Sequence, residues 1–432
     1  MNHPASAPEQ QTKGRSAGIG FIMITVLIDM ISIGLIIPVL PALVGSFTSN
    51  PVEQAWWYGA VAFAFGFANF VGSPILGALS DRYGRRPVLL LGFCGLALNF
   101  FATALATSLW MLVAVRLVGG AMQANAAVAN AYVADITPPE QRARRFGMLG
   151  AMFGMGFILG PVMGGILGAI DLHLPFFAAG SLAILNWLYG YFVLPESLPV
   201  ERRKPIHWPT AINPVASLRK LNQLKGVGPL VAVIGLASLA QFTLHTSWVL
   251  SNSFRFGWGP DENGWSLFAV GVMSVIVQGF LLKHFLRWFG ARKLAAIGLT
   301  SGSIAYFLWG AATEGWMMYA VIGCNVLAFG AMAAVQSLIS NSADAHNQGQ
   351  TMGAVSSLNS LMAVLAPMLG APLLATVSHL PAQDWRVGAP FYFCAALQAV
   401  AAVLAMRYLM THKAHLAAAA AAAPPVSDSV RP

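Results

Sequence analysis

Twelve apolar stretches, at 19–44, 56–80, 87–107, 110–133, 147–170, 174–194, 227–250, 264–282, 292–312, 316–340, 351–377 and 389–410, recur along the chain at near-regular spacing. Each is long enough to cross a hydrocarbon layer of ~30 Å as a helix. The fold class this implies is an all-α membrane protein with twelve transmembrane helices. Only 9% of the residues are charged and mean hydropathy is +0.67, where an average soluble protein has about 25% charged residues. A soluble enzyme is excluded on that ground.

The segments outside these stretches are short. Residues 1–17 are polar, with Lys13 and Arg15 as their basic residues, and read as a disordered tail. The stretch that follows is too long for a signal-peptide core and has no small-residue cleavage site, so it is expected to stay as an uncleaved helix. Residues 413–432, Ala- and Pro-rich, read as a second tail and are assigned no function. Of the 24 Lys and Arg residues, only Arg255 and Arg386 fall in loops on one side and Arg116 falls within a span, leaving 21 on the side of the termini. By the positive-inside rule both termini are expected in the cytoplasm, as in a multi-pass protein of the bacterial inner membrane. The net charge of +9 then reflects topology and does not argue for nucleic acid as a partner. Cys94, Cys324 and Cys394 all lie in spans without a Cys-x-x-Cys pair or nearby His, and read as packing residues; no metal site and no cofactor is expected.

The longest hydrophilic segment between spans, 195–226, divides them six and six. It reads as a cytoplasmic linker between bundles at 18–194 and 227–412. Sliding one half over the other by 206 residues superposes Gly84 on Gly290, Arg86 on Arg292, Trp110 on Trp316, Gly147 on Gly353, Pro161 on Pro367 and Gly164 on Gly370. One constant offset without gaps implies two pseudo-symmetric six-helix bundles from a duplicated unit, an organisation common in transporters with a substrate site near midplane. The halves differ where charge is concerned, since Asp29 superposes on Gly235, Asp81 on Arg287 and Arg116 on Ile322.

Asp29 is the only one of 15 carboxylates that falls well inside a span, roughly 16 Å along it. A central Asp costs about 2.5–3.5 kcal/mol on insertion scales, which makes it a functional residue by default. It reads as a proton carrier or cation contact, or else as a structural Asp near the kink at Pro38 and Pro41. Arg116, the only buried base, is expected within a few ångströms of the same depth. The two are expected to form a coupling pair or a static ion pair fixing two helices. The turn at 77–87 holds Gly77, Asp81, Arg82, Gly84, Arg85 and Arg86, which suits a conformational latch of glycine turns and charge-assisted hydrogen bonds. In the fifth span, Gly154, Gly156, Gly160, Pro161, Gly164 and Gly165 put small residues on one face for close packing, with a kink at the proline. No strand precedes that stretch, so a nucleotide loop is excluded. Among the intramembrane polar groups, Asn99, Gln123, Gln241, His245 and Gln278 are candidates to line a substrate cavity. Others, including Asn69, Asn125, Asn186 and Asn359, read as interhelical hydrogen-bonding groups or further lining.

The pattern Asp29-x-x-x-x-Gly34-Leu35-x-x-Pro38-Val39-Leu40-Pro41, the turn GALSDRYGRRPVLL at 77–90, Arg116, ADITPPEQRARRFG at 134–147 and GFILGPVMGG at 156–165 together resemble the tetracycline/proton antiporter branch of the major facilitator superfamily. The resemblance runs from about residue 18 to 412. It implies the two-bundle fold, alternating access and drug export driven by proton entry, with Asp29 and Arg116 as coupling residues, Asp81 and its arginines as the cytoplasmic gate, and the Gly160–Pro161 helix as the antiporter segment. The substrate positions depart from that branch: Asn99 and Gly302 (or Ser301) stand where it has acids, and Ser274 where it has a His, while Gln278 matches. Tetracycline–metal transport is therefore not implied.

The sequence reads as a proton-coupled antiporter that works as a monomer in a lipid bilayer, with protons and an amphipathic, neutral or monocationic small molecule as its partners. A proton-coupled importer of a nutrient or peptide, and a membrane sensor that binds without transporting, are the alternatives. The Gly-Pro helix disfavours the importer. The short loops, with no appended signalling domain, disfavour the sensor. An enzyme is not expected, because the chain has no Gly-x-Ser-x-Gly, no Walker loop and no metal-ligand spacing.

Overall fold

The computed structural model describes residues 9–123, 125–138, 141–203, 205–206, 228–342 and 348–422, and every regular element among them is helical. In chain order these are α1 (Glu9–Ile36), α2 (Leu40–Gly45), α3 (Pro51–Tyr83), α4 (Arg85–Ala104), α5 (Leu109–Met122), α6 (Asn125–Ile136), α7 (Arg142–Ile170) and α8 (Leu174–Val193) in the first half. The second half holds α9 (Gly228–Phe256), α10 (Pro260–Val275), α11 (Leu282–Ala311), α12 (Gly315–Cys324), α13 (Ala328–Ser342), α14 (Gln348–Val377) and α15 (Ala389–Ala422). Helix α1 starts ten residues before the expected span, so part of the segment read as a tail is helical. At the other end α15 runs on through the alanine run, as alanine's helix propensity favours. Residues 1–8, 423–432 and most of the expected linker lie outside the described residues.

Twelve crossings emerge once three irregular spans are understood. The stretch Pro260–Ala311 is continuous in helix over 52 residues, about 78 Å at 1.5 Å per residue, far too long for one crossing. It is two spans joined at Gly290, whose φ of 69° breaks the helix, and the first of the two contains a wider π turn at Ile276–Leu281. The fourth span is interrupted between α5 and α6. There the Asn69 side chain of α3 donates to the Gln123 carbonyl that the break leaves free. The tenth span bends by 43° between α12 and α13.

The internal repeat holds in three dimensions. Gly84 and Gly290, superposed by the 206-residue offset, both adopt positive φ, 108° and 69°, at the turn after the second span of their half. Pro161 and Pro367 both lie inside helices, α7 and α14. Gly164 faces Leu35 of the first span and Gly370 faces Thr243 and Ser247 of the seventh, the same relation in each half.

Each half has one apolar core towards the arginine-rich turns and one towards the opposite, far end. The far-end core of the first half also takes in Leu250 of α9 with Leu374 and Ala375 of α14, so the halves meet there. Two seams close that end. In one, Gly59 of α3 lies against Ala371 of α14. In the other, Gly165 and Pro161 of α7 lie against Gly264 and the Pro260 carbonyl of α10. Towards the arginine-rich end, by contrast, nothing lies within 4 Å of where a Cβ would stand on Gly77, Gly150 or Gly154. Among the described residues, the closest contacts between the halves lie towards the far end.

Candidate proton and substrate site

The first span owes its position to the glycines of α7. Gly156, Gly160 and Gly164, spaced by four, form one face, and α1 lies directly on it: Gly156 against Met30, Gly160 against Gly34, Gly164 against the Leu35 backbone. Side chains there would hold the helices apart. Asp29, next to Met30, is thereby shut in the bundle, 3% exposed. Its Oδ1 accepts a hydrogen bond of 3.0 Å from Asn125 Nδ2, the first residue of α6.

Arg116 is equally buried, at 3%, on α5. The expected pairing with Asp29 does not occur in this conformation: no ion pair joins them among the described residues. Arg116 instead stacks over the Phe65 ring at 5.6 Å, and its Nε and Nη2 are buried without a hydrogen-bond partner. The separation can be read along α4, where Gly92 lies against Asn125 and Asn99 against Gly119, one residue row from Arg116. Those seven residues are roughly 10 Å.

The arginine-rich turn folds as a cluster. Gly84 takes the positive φ that reverses the chain. Arg85, nearly buried, bonds Asp81 at 2.6 Å, Asp135 of α6 at 3.0 Å and the Ser80 hydroxyl at 2.7 Å. The backbone N–H groups of Arg85 and Arg86 donate to Glu196, beyond α8, at 2.9 and 3.2 Å. Arg86 also donates to the Tyr191 carbonyl and lies over its ring. Arg82 is outside the cluster, exposed beside Tyr83. Gly77 makes no close approach, since nothing lies within 4 Å of where its Cβ would stand. Asp135 and Glu196 are therefore part of the cluster, although sequence reasoning gave neither a role. A carboxylate on the side that holds nearly all the arginines is the signal that marks them.

The candidate cavity residues do not converge on one point. Asn99 is buried with both amide atoms unpartnered, and Gln123 Oε1 is likewise unpartnered beside the break in the fourth span. Gln241 and His245 are exposed one turn apart on α9. His245 lies between Phe242 and, across the halves, Phe157 of α7, each 6.5 Å away by ring centres. Gln278 lies in the π turn of the eighth span and donates to Ser274 Oγ at 2.6 Å, so the position that matches the antiporter branch and the one that departs from it touch each other.

These features define a helical membrane protein of two six-span halves, with one buried carboxylate, Asp29, among the described residues. The chain matches the Major Facilitator Superfamily over residues 22–367 and 256–428, and it belongs to that family. It is 38% identical to the class C tetracycline resistance protein of Escherichia coli, covering 86% of this chain and 93% of that one. It is 32% identical to the class B protein of the same organism, over 91% and 96%. Among solved structures, the inward-facing, unoccupied form of a bacterial homolog of the human lysosomal transporter Spinster superposes with a TM-score of 0.69 at 16% identity, over 94% of this chain and 99% of that one. The human organic anion transporter TETRAN does so at 0.67 and 22%, over 92% and 100%.

Proposed function

We propose that the protein is a proton-coupled antiporter of the bacterial inner membrane that exports an amphipathic small molecule by alternating access. In this reading, bundles at 18–194 and 227–412 are joined by a linker at 195–226, both termini are cytoplasmic and the monomer is the working unit. The arginine-rich end then faces the cytoplasm, and the conformation closed at the far end is inward-facing.

The observation that carries the reading is Asp29: one carboxylate, 3% exposed, in the span seated on the glycine face of α7. A carboxyl opened to the cytoplasm is free to lose its proton and accept a substrate, and one opened outward regains the proton and expels it. Asp81, Arg85 and Arg86, with Asp135 and Glu196, form the cytoplasmic latch. Gly77, Gly84 and Arg82 belong to the same turn, and Arg116 is the second coupling residue. The relatives named for tetracycline resistance support drug export. With one central acid, the cargo is neutral or monocationic: exchanging one proton for a monocation is electroneutral, and exchanging it for a neutral molecule is electrogenic. Asn99, Gln123, Gln241, His245 and Gln278 are its contacts.

The test is proton movement in proteoliposomes with an internal pH dye, on adding lipophilic cations, neutral drugs and tetracycline to wild type and Asp29→Asn. Substrate-triggered proton flux that vanishes in the variant is expected. Gradient-driven transport that survives in Asp29→Asn overturns the reading, since an amide cannot carry the proton.

A further inference from the structure

The side chain that meets Asp29 has a chemistry of its own. Asn125 is 5% exposed, and its amide is the one hydrogen-bond partner of Asp29 among the described residues. Three other asparagines of the first half behave differently. Asn130 donates to the Ala126 carbonyl at 2.8 Å, Asn186 to that of Thr25 at 2.9 Å, and Asn69 to that of Gln123. A carbonyl only accepts, so each of these amides is fixed in one orientation. Asn125 instead meets a group that both loses and gains a proton.

Two features of the fold place it there. The fourth span breaks just before Asn125, so no preceding turn of its own helix offers a carbonyl to its side chain. On α4, Gly92 leaves a gap into which Asn125 Oδ1 points, and a Cβ on Gly92 would stand 1.9 Å from that oxygen. Only glycine admits the amide.

We infer that Asn125, seated in the gap at Gly92, is the positioning residue for the proton on Asp29: its NH2 donates to the carboxylate and, turned over, its carbonyl accepts from the carboxylic acid. An amide carries a donor and an acceptor on one planar group, so half a turn about its last bond offers Asp29 a partner in either state. An arginine holds only the charged form, and an apolar side chain serves neither. No ion pair among the described residues competes for Asp29. Of the titratable groups on helices packed against α1, Tyr132 of α6 donates to the Pro195 carbonyl, Tyr189 of α8 stacks on Phe21, and Arg144 and Arg145 of α7 lie at the arginine-rich end. This inference rests on Asp29 being the proton carrier.

Infrared difference spectra of the full-length protein in liposomes, taken between acid and alkaline buffer, test it without any substrate. Wild type is expected to show a carboxylic-acid C=O band absent from Asp29→Asn, with a linked change in an asparagine amide C=O band as that carbonyl becomes an acceptor. In Asn125→Ala the amide change disappears and the acid band moves to higher frequency, as for an acid freed of its partner. Asn125→Ser, which keeps a donor and an acceptor, restores the lower frequency. Gly92→Ala, on a different helix, evicts the amide and reproduces the alanine spectrum should Asn125→Ala fail to accumulate. An acid band unchanged in Asn125→Ala and Gly92→Ala overturns the role of Asn125 while leaving Asp29 as carrier. The lack of any Asp29-dependent band overturns the carrier itself, and this inference with it.

Discussion

The far-end closure is held by backbone contact, and Gly264→Ala addresses it directly. A Cβ on Gly264 would stand 2.5 Å from the Pro161 carbonyl oxygen and 3.1 Å from the Gly165 Cα, both backbone atoms of α7 that no rotamer change can remove. Overpacking of this kind costs about 1–3 kcal/mol. Alanine's advantage over glycine in helix propensity, about 1 kcal/mol, is the same in both conformations and cancels between them. The closed state alone bears the clash, so the equilibrium shifts about 5- to 150-fold towards opening at the far end. Nitroxides on cysteines placed at Ser49 and Thr313, exposed in far-end loops of opposite halves, report the separation by pulsed electron resonance once Cys94, Cys324 and Cys394 are replaced. Wild type should give mainly the shorter distance and Gly264→Ala should move weight to the longer one. Gly154→Ala, on α7 but with nothing within 4 Å of its Cβ position, should leave the distribution unchanged. A Gly264→Ala distribution identical to wild type, or an equal shift in Gly154→Ala, refutes the reasoning.

Arg85→Gln removes the shared partner of Asp81 and Asp135, whose side chains are 47% and 22% exposed while that of Arg85 is 10%. Breaking a buried pair costs 3–5 kcal/mol, and the exposure of the acids reduces this to about 2; thermal unfolding should fall measurably, and Asp81→Asn should cost less because Asp135 still holds the arginine. In the loop before α15, hydrogen bonds from the Arg386 side chain and backbone hold the Asp384 carboxyl down at about 2. Because the folded value is the lower one, its stabilisation is full above the ordinary carboxylate range and is lost as pH falls through about 2. The gap in melting temperature between wild type and Asp384→Asn should be constant from neutral pH to about 4 and narrow below it, and a gap that widens on acidification contradicts this assignment.

What the sequence revealed and what it hid follow from range. Span number, the duplicated halves and the glycine face of α7 are local or periodic signals, and they appear in the fold at the expected places. The latch is different. Arg85 meets Asp135 and Glu196 at sequence separations of 50 and 111, and Asn125 meets Asp29 at 96, so these contacts exist only after helices have been arranged. The expected Asp29–Arg116 pair failed for a related reason. Depth counted along a helix leaves open which faces meet, and packing decides it: Asp29 lies against Asn125 of α6, while Arg116 lies over Phe65 of α3. Gly290 was legible as a repeat of Gly84, but the π turn at Gln278 leaves no mark in an apolar run.

The far-end seam is built without charge. Among the described residues, no ion pair or hydrogen bond joins the halves at that end, and each of the four ion pairs lies within one half. Closure there rests on small residues in contact, Gly59 with Ala371 and Gly165 with Gly264. Moving a two-state population from 1:99 to 99:1 takes only about 5.5 kcal/mol, and an uncharged seam adds no charge separation to it. The same helix touches both places: Gly156 of α7 meets Met30 beside Asp29, and Gly165, nine residues or roughly 13 Å further along and past Pro161, meets α10 at the seam.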